Sequence, residues 1–312
     1  MTVSRALNAP GKVTPETLGR VRLAVEALGY VPNAMASGLR MARARMVAAL
    51  LPTLVGPVFQ ELVESLAESL KRSGYQLMIG QAGYDAAQEE ELIKTIIQRR
   101  PDGIVLVGAV ASAGGRSALL ASHIPVVETW DFSDNPVDML VGFSHVAIGE
   151  SVAEFLYQRG HRHVAIITGD DARARARADA FIRRSKALGA HSAQVFFTTA
   201  PSTVGAGRKG LATLLQASPE ITGLFCSSDS LALGTLIEAQ HRGLRVPEQL
   251  AVVGMGDQSF AQDAQPALTT VRLDGTRIGV IAAELMIARA EGRPVDSPIV
   301  DVGFHMVIRD ST

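Results

Sequence analysis

The first eight residues carry side chains that are suited to contacts with nucleic acid. Thr2, Ser4, Arg5 and Asn8 supply hydrogen-bond donors and acceptors on a short segment, 1–8, that is predicted to be helical. Side chains of these types reach base edges and phosphates when a helix enters a major groove. The alternative interpretation is a frayed N-terminal helix whose polar side chains meet only solvent.

The distribution of charge favours a polyanionic partner for the same end of the chain. Residues 1–46 hold seven Lys or Arg side chains against two Glu, a net charge of +5, whereas the whole chain carries −1 and the remainder therefore −6. A basic segment joined to a mildly acidic body predicts polyanion binding by the former, with a solvated charged surface as the alternative. The basic side chains are those of Arg5, Lys12, Arg20, Arg22, Arg40, Arg43 and Arg45.

A second group of candidate residues follows the predicted strands of the body. Ligands of open α/β sheets bind outside the carboxyl ends of the strands, and helix N-termini at that edge favour anionic groups. Each residue alone is equally compatible with a pocket or a structural role, and their shared position at strand ends favours a pocket. The residues are Trp130, Asp131 and Phe132; Ser227, Ser228 and Asp229; and Gly256, Asp257 and Gln258.

Motifs typical of catalysis or of metal and cofactor binding do not stand out. The single cysteine, Cys226, excludes an internal disulfide and a thiol-rich metal site. His161 and His163 have no third ligand nearby, so a turn into a strand is favoured over a metal site. Glycine-rich phosphate loops and a serine elbow are also not found. We therefore predict no metal, no cofactor and no enzymatic activity; an enzyme on the same fold stays as an alternative.

The stretch Gly29-Tyr30-Val31-Pro32-Asn33 separates a small head from a large body. Pro32 lacks a backbone N–H and disfavours the α conformation at Val31, so a helix that starts after the cap residue Thr14 is predicted to end near Gly29. A marginal helix of one or two turns is predicted over 34–39. We predict a helical head with a hinge helix at 1–45 and a ligand-binding domain at 46–312.

The body alternates apolar strands with amphipathic helices, which predicts parallel sheets. Two series of similar size predict an α/β fold of two doubly wound parallel-sheet lobes, the first at 46–143 plus 275–302 and the second at 144–272 plus 303–312. Strands are predicted at 46–51, 75–80, 103–107, 125–129, 163–168, 192–198, 222–226, 249–254 and 269–272, near 298–303 and at 305–309.

Targeting and membrane signals are not found. There is no basic N-terminal region followed by an apolar stretch, and no apolar run reaches the ~18–20 residues that span a bilayer. We predict a cytoplasmic protein without membrane contact. This also separates the chain from a periplasmic sugar-binding protein, the other alternative, which shares the predicted body but needs a signal peptide and lacks a basic head.

Three motifs in the head resemble the DNA-binding region of the LacI/GalR family of bacterial repressors. They are Thr2-Val3-Ser4-Arg5-Ala6-Leu7-Asn8, Gly29-Tyr30-Val31-Pro32-Asn33 and Ala36-Ser37-Gly38-Leu39, in the family's spacing. The resemblance implies a helix-turn-helix head, a hinge helix and a sensor like a periplasmic sugar-binding protein. It implies operator DNA, a small-molecule effector and a homodimer as partners.

The resemblance also implies roles for individual residues. Arg5 would contact bases, Leu39 would wedge into the minor groove from the hinge helix, and Thr53 and Phe59 would line the effector cleft. Arg173, Arg175 and Arg177 follow a predicted strand where the family places an effector-binding Arg, and the short loop leaves the choice among them open. Contacts to phosphates, bases or both are implied for Thr2, Ser4, Asn8 and Asn33.

Two further motifs are similar to the gluconate-operon repressor branch of that family, Val141-Gly142-Phe143-Ser144 and Val302-Gly303-Phe304. Gly256 stands where most sugar-binding members carry an Asp that grips a hydroxyl pair. With several Arg nearby, this predicts an anionic effector such as a sugar acid. Arg177 is then the best single candidate for the effector's carboxylate, because its planar fork can bind both oxygens.

The resemblance gives one expectation about the start of the chain. The family head has a further helix and turn before the Thr-Val-Ser-Arg motif, about twenty residues that pack against the recognition helix. We expect the head as written to be disordered or to bind DNA only weakly. We expect an upstream extension of the reading frame to restore operator binding if it encodes that helix.

Overall fold

The contacts in the computed structural model divide the chain into two units, Met1–Ala44 and Arg45–Thr312. The structure describes residues 2–8, 10–29, 44–54 and 59–312. Asn33, Leu39 and the predicted hinge helix lie outside the described residues.

The small unit contains two helices, α1 (Thr2–Asn8) and α2 (Pro15–Ala27), joined by a 3-10 turn at Pro10–Lys12. Helix α2 begins as predicted, because the Thr14 hydroxyl accepts a hydrogen bond from the backbone N–H of Thr17 and Pro15 occupies the first helical position.

Burial in the small unit is limited. Ala6 and Val21 are buried, whereas Val3, Leu23 and Leu28 are at least half exposed. A groove of about 510 Å³ runs between the two helices and is lined largely by apolar side chains. The unit therefore buries few of the apolar side chains of its described residues.

The first lobe is built on a six-stranded parallel sheet in the order β11-β5-β4-β3-β1-β2. The central strands are buried along their whole length, which explains their continuous apolar sequences. Its elements are β1 (Met46–Leu51), α3 (Gln60–Arg72), β2 (Gln76–Gln81), α4 (Ala86–Gln98), β3 (Gly103–Val107), α5 (Ala113–Ser122), β4 (Val126–Thr129) and β5 (Met139–Gly142), with α10 (Gly275–Ala290) and β11 (Ile299–Asp301).

The second lobe repeats this plan with the sheet order β12-β10-β9-β8-β6-β7, in which only the pairing of β12 with β10 is antiparallel. The prediction of two doubly wound parallel-sheet lobes is confirmed. The elements are α6 (His145–Gln158), β6 (His163–Gly169), α7 (Ala172–Ala187), β7 (Ser192–Thr198), α8 (Val204–Ala217), β8 (Gly223–Cys226), α9 (Asp229–His241), β9 (Ala251–Met255), β10 (Thr269–Arg272) and β12 (His305–Val307).

The chain passes between the lobes after β5, after β10 and after β11. On the second passage it enters α10, which packs closely on α3 of the first lobe. A Cβ atom at Gly279 of α10 would collide with the Leu62 backbone carbonyl oxygen and the Ser65 side chain of α3, so this approach requires glycine. The passages bring the carboxyl ends of both sheets to a common cleft.

Strand β5 was not predicted. Its run Met139–Gly142 is only four residues long, and it lies next to the edge of the first sheet, between β4 and the edge strand β11. The predicted helix 57–73 is described from Gln60 to Arg72, and residues 55–58 lie outside the described part. The other predicted strands agree with the structure to within one or two residues at most ends.

The described residues contain no helix that is long and apolar enough to cross a membrane.

Candidate ligand-binding site between the lobes

A cavity of about 140 Å³ lies in the cleft where the strands of both sheets end. The first lobe contributes Thr53, Phe59 and Trp130 to its wall, and the second contributes Arg177 and Ser228. All five are effector-site candidates from the sequence. Two further candidates from the sequence, Arg173 and Ser227, line the same wall. The structure adds residues that the sequence analysis did not name, including Tyr84, His145, Asp171, Ser202, Ser230 and Met255.

One side of the cavity is aromatic. The Trp130 ring packs edge-to-face against Phe59, with centroids 5.2 Å apart, and against Phe143, at 5.5 Å. Trp130 has a φ of +63°, a left-handed conformation that non-glycine residues adopt rarely and that clusters at functional sites. The turn after β4 thus places a rigid apolar face at the cleft.

The opposite side is cationic. Arg177, on α7, is only 4% exposed, and its buried Nε has no acceptor among the described residues. Burial lowers the pKa of Arg177 to about 10; the nearby Asp171 carboxylate raises it and the Arg173 charge lowers it further. The guanidinium therefore remains charged at neutral pH, with hydrogen-bonding capacity left over.

The structure distinguishes the three arginines that follow β6, of which the sequence favours Arg177. Arg173 also lines the cavity, and its buried Nη1 has no acceptor among the described residues. The Arg173 side chain reaches the first lobe. Its Nη1 lies so close to Gly108 that a Cβ atom added at that glycine would be 3.2 Å away. Arg175 instead stacks on Phe197, 4.5 Å from the ring centroid, and its Nε donates to the Asp170 carbonyl.

His145 joins the cationic side to the first lobe. Its Nδ1 lies 2.7 Å from Nη1 of Arg177, and its Nε2 lies 3.2 Å from the backbone carbonyl oxygen of Trp130. Burial, followed by the charges of Arg177 and Arg173, lowers the pKa of His145 well below its ordinary value. The imidazole is consequently neutral at pH 7.

Asp131 faces an adjoining recess of about 420 Å³, which also contains Tyr84, Glu89 and Arg173. Burial raises the pKa of Asp131 and of Glu89, while the nearby Arg173 charge acts in the opposite direction for both. Arg173 lines both the recess and the central cavity, so its side chain stands between the two spaces.

The Asp229 side chain lines neither the central cavity nor the adjoining recess, and it hydrogen-bonds within the protein. It is fully buried, its Oδ1 accepts a 2.6 Å hydrogen bond from the Thr270 hydroxyl, and its Oδ2 accepts one of 2.7 Å from the Gln258 backbone N–H. Its carboxylate holds together the ends of β8, β9 and β10 beneath the cleft.

Asp257 lines a third space, of about 320 Å³, that shares Trp130 and Ser228 with the central cavity. Its Oδ1 forms an ion pair with Arg309 at 2.7 Å and its Oδ2 with Arg272 at 3.1 Å. The backbone of Asp257 has a φ of +51°. Two guanidinium groups thus engage this carboxylate within the protein.

His161 and His163 bond to their neighbours in the second lobe. The Nδ1 atoms lie 3.1 Å from the hydroxyls of Thr222 and Ser192, respectively. The described residues contain no group of three or more side chains placed to hold a metal ion.

The predicted DNA-contacting residues Thr2, Ser4, Arg5 and Asn8 all lie on α1, and the side chains of Thr2 and Arg5 are exposed. A short basic helix is thus present in the first unit, as expected. Both helices of this unit also expose apolar side chains, among them Val3 of α1 and Leu23 of α2.

A basic helical unit followed by two lobes around a ligand-sized cleft defines the class of ligand-responsive DNA-binding regulators. Residues 1–33 match the model for bacterial regulatory proteins of the lacI family, and residues 153–312 match that for a periplasmic binding protein-like domain. The chain belongs to the LacI family and is a transcriptional regulator controlled by an effector.

Three relatives show the extent of this similarity. The HTH-type transcriptional regulator GntR of Pseudomonas aeruginosa is 35% identical over 100% of this chain and 92% of its own length. A LacI-family transcriptional regulator from Silicibacter pomeroyi has a crystal structure with a TM-score of 0.93 and 30% identity, over 100% of this chain and 95% of that one. The structure of the transcription regulator GntR from Chromobacterium violaceum gives a TM-score of 0.81 and 32% identity, over 85% and 98%.

Proposed function

We propose that the effector of this regulator is a sugar acid such as gluconate, bound in the central cavity of the cleft. The observation that carries the proposal is the pair of guanidinium groups of Arg173 and Arg177. Both line the cavity, and each has a buried nitrogen without an acceptor among the described residues. Buried donors of this kind are costly unless something accepts from them, and a carboxylate is the acceptor that matches a guanidinium best.

The rest of the wall suits a hydroxylated carbon chain. Ser202, Ser227, Ser228 and Ser230 present a group of hydroxyls on the second lobe, opposite the apolar faces of Phe59 and Trp130. Hydroxyls bind sugar hydroxyls through hydrogen bonds, and aromatic rings pack against the C–H faces. Gly256, which lines the adjoining space beside Asp257, leaves out the carboxylate that most sugar-binding members of the family carry at that position. The resemblance to the gluconate-operon branch supports the same ligand class.

The head is proposed to read operator DNA through Arg5, with Thr2, Ser4, Asn8 and Asn33 adding contacts to phosphates or bases and Leu39 entering the minor groove. The basic and polar residues of α1 support this role. A near-palindromic operator requires two heads related by a two-fold axis, so we propose a homodimer. The polar outer face of α3, with Gln60, Glu64 and Glu68 exposed, is the proposed contact region.

Effector control requires two conformations with different affinities for the ligand. We propose that the ligand closes the lobes, because its carboxylate would bind Arg177 of the second lobe while its chain packs on Trp130 of the first. Closure would shift the lobes of the two subunits relative to each other and alter the hinge that follows Pro32. Both release from DNA and tighter binding are compatible with this mechanism.

The test is a thermal-shift screen of the purified chain against sugars, polyols and sugar acids. Stabilisation by a ligand at a hundredfold excess over its dissociation constant amounts to about 2.7 kcal/mol. We expect sugar acids, gluconate among them, to raise the melting temperature more than the neutral compounds of equal length. Tight binding of a neutral sugar with no response to any acid would contradict the proposal.

A further inference from the structure

The roles of the two His145 nitrogens follow from their partners. A guanidinium can only donate, so Nδ1 must accept the 2.7 Å bond from Nη1 of Arg177. A backbone carbonyl can only accept, so Nε2 must carry the proton in the 3.2 Å bond to Trp130. Both bonds form together only in the neutral ring with its proton on Nε2. The lowered pKa of His145 is in accord with that form.

These two bonds span the cleft. His145 is the first residue of α6 and begins the second lobe, whereas Trp130 follows β4 in the first. Arg177 lies one helix further on, and α6 and α7 pack tightly along their length. The imidazole thus ties the orientation of one guanidinium to the backbone that also carries the aromatic wall.

The bonds also determine which part of Arg177 remains available. Nη1 is engaged by His145, while Nε is buried without an acceptor among the described residues. A long side chain in a cavity otherwise has several rotamers, and ordering it upon binding costs free energy. Because His145 fixes Nη1 of the Arg177 guanidinium before the ligand binds, part of this ordering cost is removed.

We infer that His145 is a positioning residue for the effector site: it holds Arg177 in the orientation that receives an anionic ligand and connects that residue to Trp130 of the opposite lobe. This inference rests on the proposed anionic effector. His145 also packs edge-to-face on Phe143, with ring centroids 5.0 Å apart, so its test must separate positioning from simple packing.

Two variants make that separation. In His145→Gln the side-chain amide can still accept from the guanidinium and donate to a carbonyl, whereas His145→Leu keeps apolar bulk and loses both bonds. Gluconate and its neutral counterpart glucitol are titrated into the parent and both variants. We expect His145→Leu to weaken gluconate binding on the order of 10-fold, the scale seen when outer-shell partners of ion-binding groups are removed. Glucitol binding should change much less in His145→Leu, and His145→Gln should recover most of the lost gluconate affinity.

Nitrogen-15 NMR of the ligand-free chain tests the positioning without any ligand. The spectrum of the parent should show His145 neutral and protonated on Nε2. The Arg177 Nε–H signal is assigned by its loss in Arg177→Lys. Its chemical shift should change in His145→Leu and be close to that of the parent in His145→Gln. The inference would be overturned by a charged His145 ring at pH 7, by a proton on Nδ1, or by an Arg177 signal that does not change in His145→Leu.

The two experiments distinguish the two ways of failing. If the parent binds no sugar acid but the spectra are as expected, the effector assignment fails while His145 still positions Arg177. If the parent binds gluconate and His145→Leu binds it equally well, the positioning role is wrong and the effector assignment stands. A parallel loss of gluconate and glucitol binding in both variants would indicate packing alone and would also overturn the inference.

Discussion

The Thr270 hydroxyl donates a 2.6 Å hydrogen bond to the Asp229 carboxylate, with both residues fully buried. This bond connects β10 to the first turn of α9, and the Gln258 backbone N–H completes the arrangement from the loop after β9. Burial raises the pKa of Asp229, and these hydrogen bonds lower it again, although less. The cleft floor on the second lobe therefore depends on one carboxylate and its partners.

Replacing Thr270 with Val should destabilise the fold by about 1–3 kcal/mol, because Oδ1 of Asp229 loses its hydroxyl donor while the shape of the side chain is kept. Urea unfolding followed by the fluorescence of Trp130, the chain's single tryptophan, measures the free energy of unfolding. Thr213→Val, on the exposed face of α8, is the control and should stay within about 0.5 kcal/mol of the parent. Equal stability of the two variants would show that the bond contributes little.

Arg177→Lys should weaken gluconate binding by roughly 1.5–3 kcal/mol, since an ammonium cannot form the bidentate pair. Arg175→Lys is the matched control two residues away. Its parent side chain stacks on Phe197 outside the cavity wall, so gluconate affinity should be unchanged. Calorimetric titration of both variants gives the comparison. Equal affinities for the parent and Arg177→Lys would remove Arg177 from the site.

The buried histidine predicts a pH dependence of stability. The folded-state pKa of His145 is lowered by burial and by the charges of Arg177 and Arg173, so the ring contributes fully to stability above its unfolded pKa of about 6.5. As the pH falls below that value, the unfolded chain takes up a proton that the folded chain does not. Stability should decline by up to about 1.4 kcal/mol per pH unit from this group.

His145→Gln should flatten this decline between pH 6.5 and 5, measured by urea unfolding at each pH. The buried carboxyls of Glu128 and Asp229 act in the opposite direction, because burial raises their pKa values and folding then favours proton uptake as the pH falls towards 4. Their contribution is common to both proteins. His161→Gln, at a half-buried histidine whose pKa is also lowered, should give a smaller effect. Parallel curves for the parent and His145→Gln would contradict the prediction.

The proposed homodimer predicts a mass in solution of twice the 33.0 kDa of one chain. Light scattering at micromolar concentration measures this mass. Two subunits are expected because the twofold symmetric operator and the proposed α3 contact both require them. A charge reversal at Glu64 and Glu68 should shift the equilibrium towards the single chain if that face lies in the contact. A single-chain mass for the parent would count against the dimer.

The position of residues after strands was the informative part of the sequence. The rule that ligands bind at the carboxyl ends of parallel strands led to Trp130 and Ser228, and the structure brings both to one cavity with Arg177. The same rule also selected Asp229 and Asp257, whose side chains bond internally. The rule could not distinguish a cavity-lining side chain from one that bonds internally. The partners of Asp229 and Asp257 are Thr270 and Arg309, which lie 41 and 52 residues away in the sequence.

His145 was missed because the strand before it was missed. Met139–Gly142 is short, and a run of four apolar residues is too brief to be distinguished from a loop by periodicity. Had it been recognised as a strand, the same rule would have placed His145 at a strand end beside the cleft. The sequence favours Arg177 for the effector's carboxylate, but only the structure shows that Arg177 lines the cavity while Arg175 stacks on Phe197 outside it.

The central claim, an anionic effector in the cleft, is tested most directly by calorimetric titration of the whole chain with gluconate and with glucitol in one buffer. The two compounds differ in the carboxylate that Arg173 and Arg177 are proposed to bind. The account predicts one gluconate site per chain and glucitol affinity lower by about 10-fold or more, the value of one charge-assisted hydrogen bond. Equal affinities for gluconate and glucitol would contradict it.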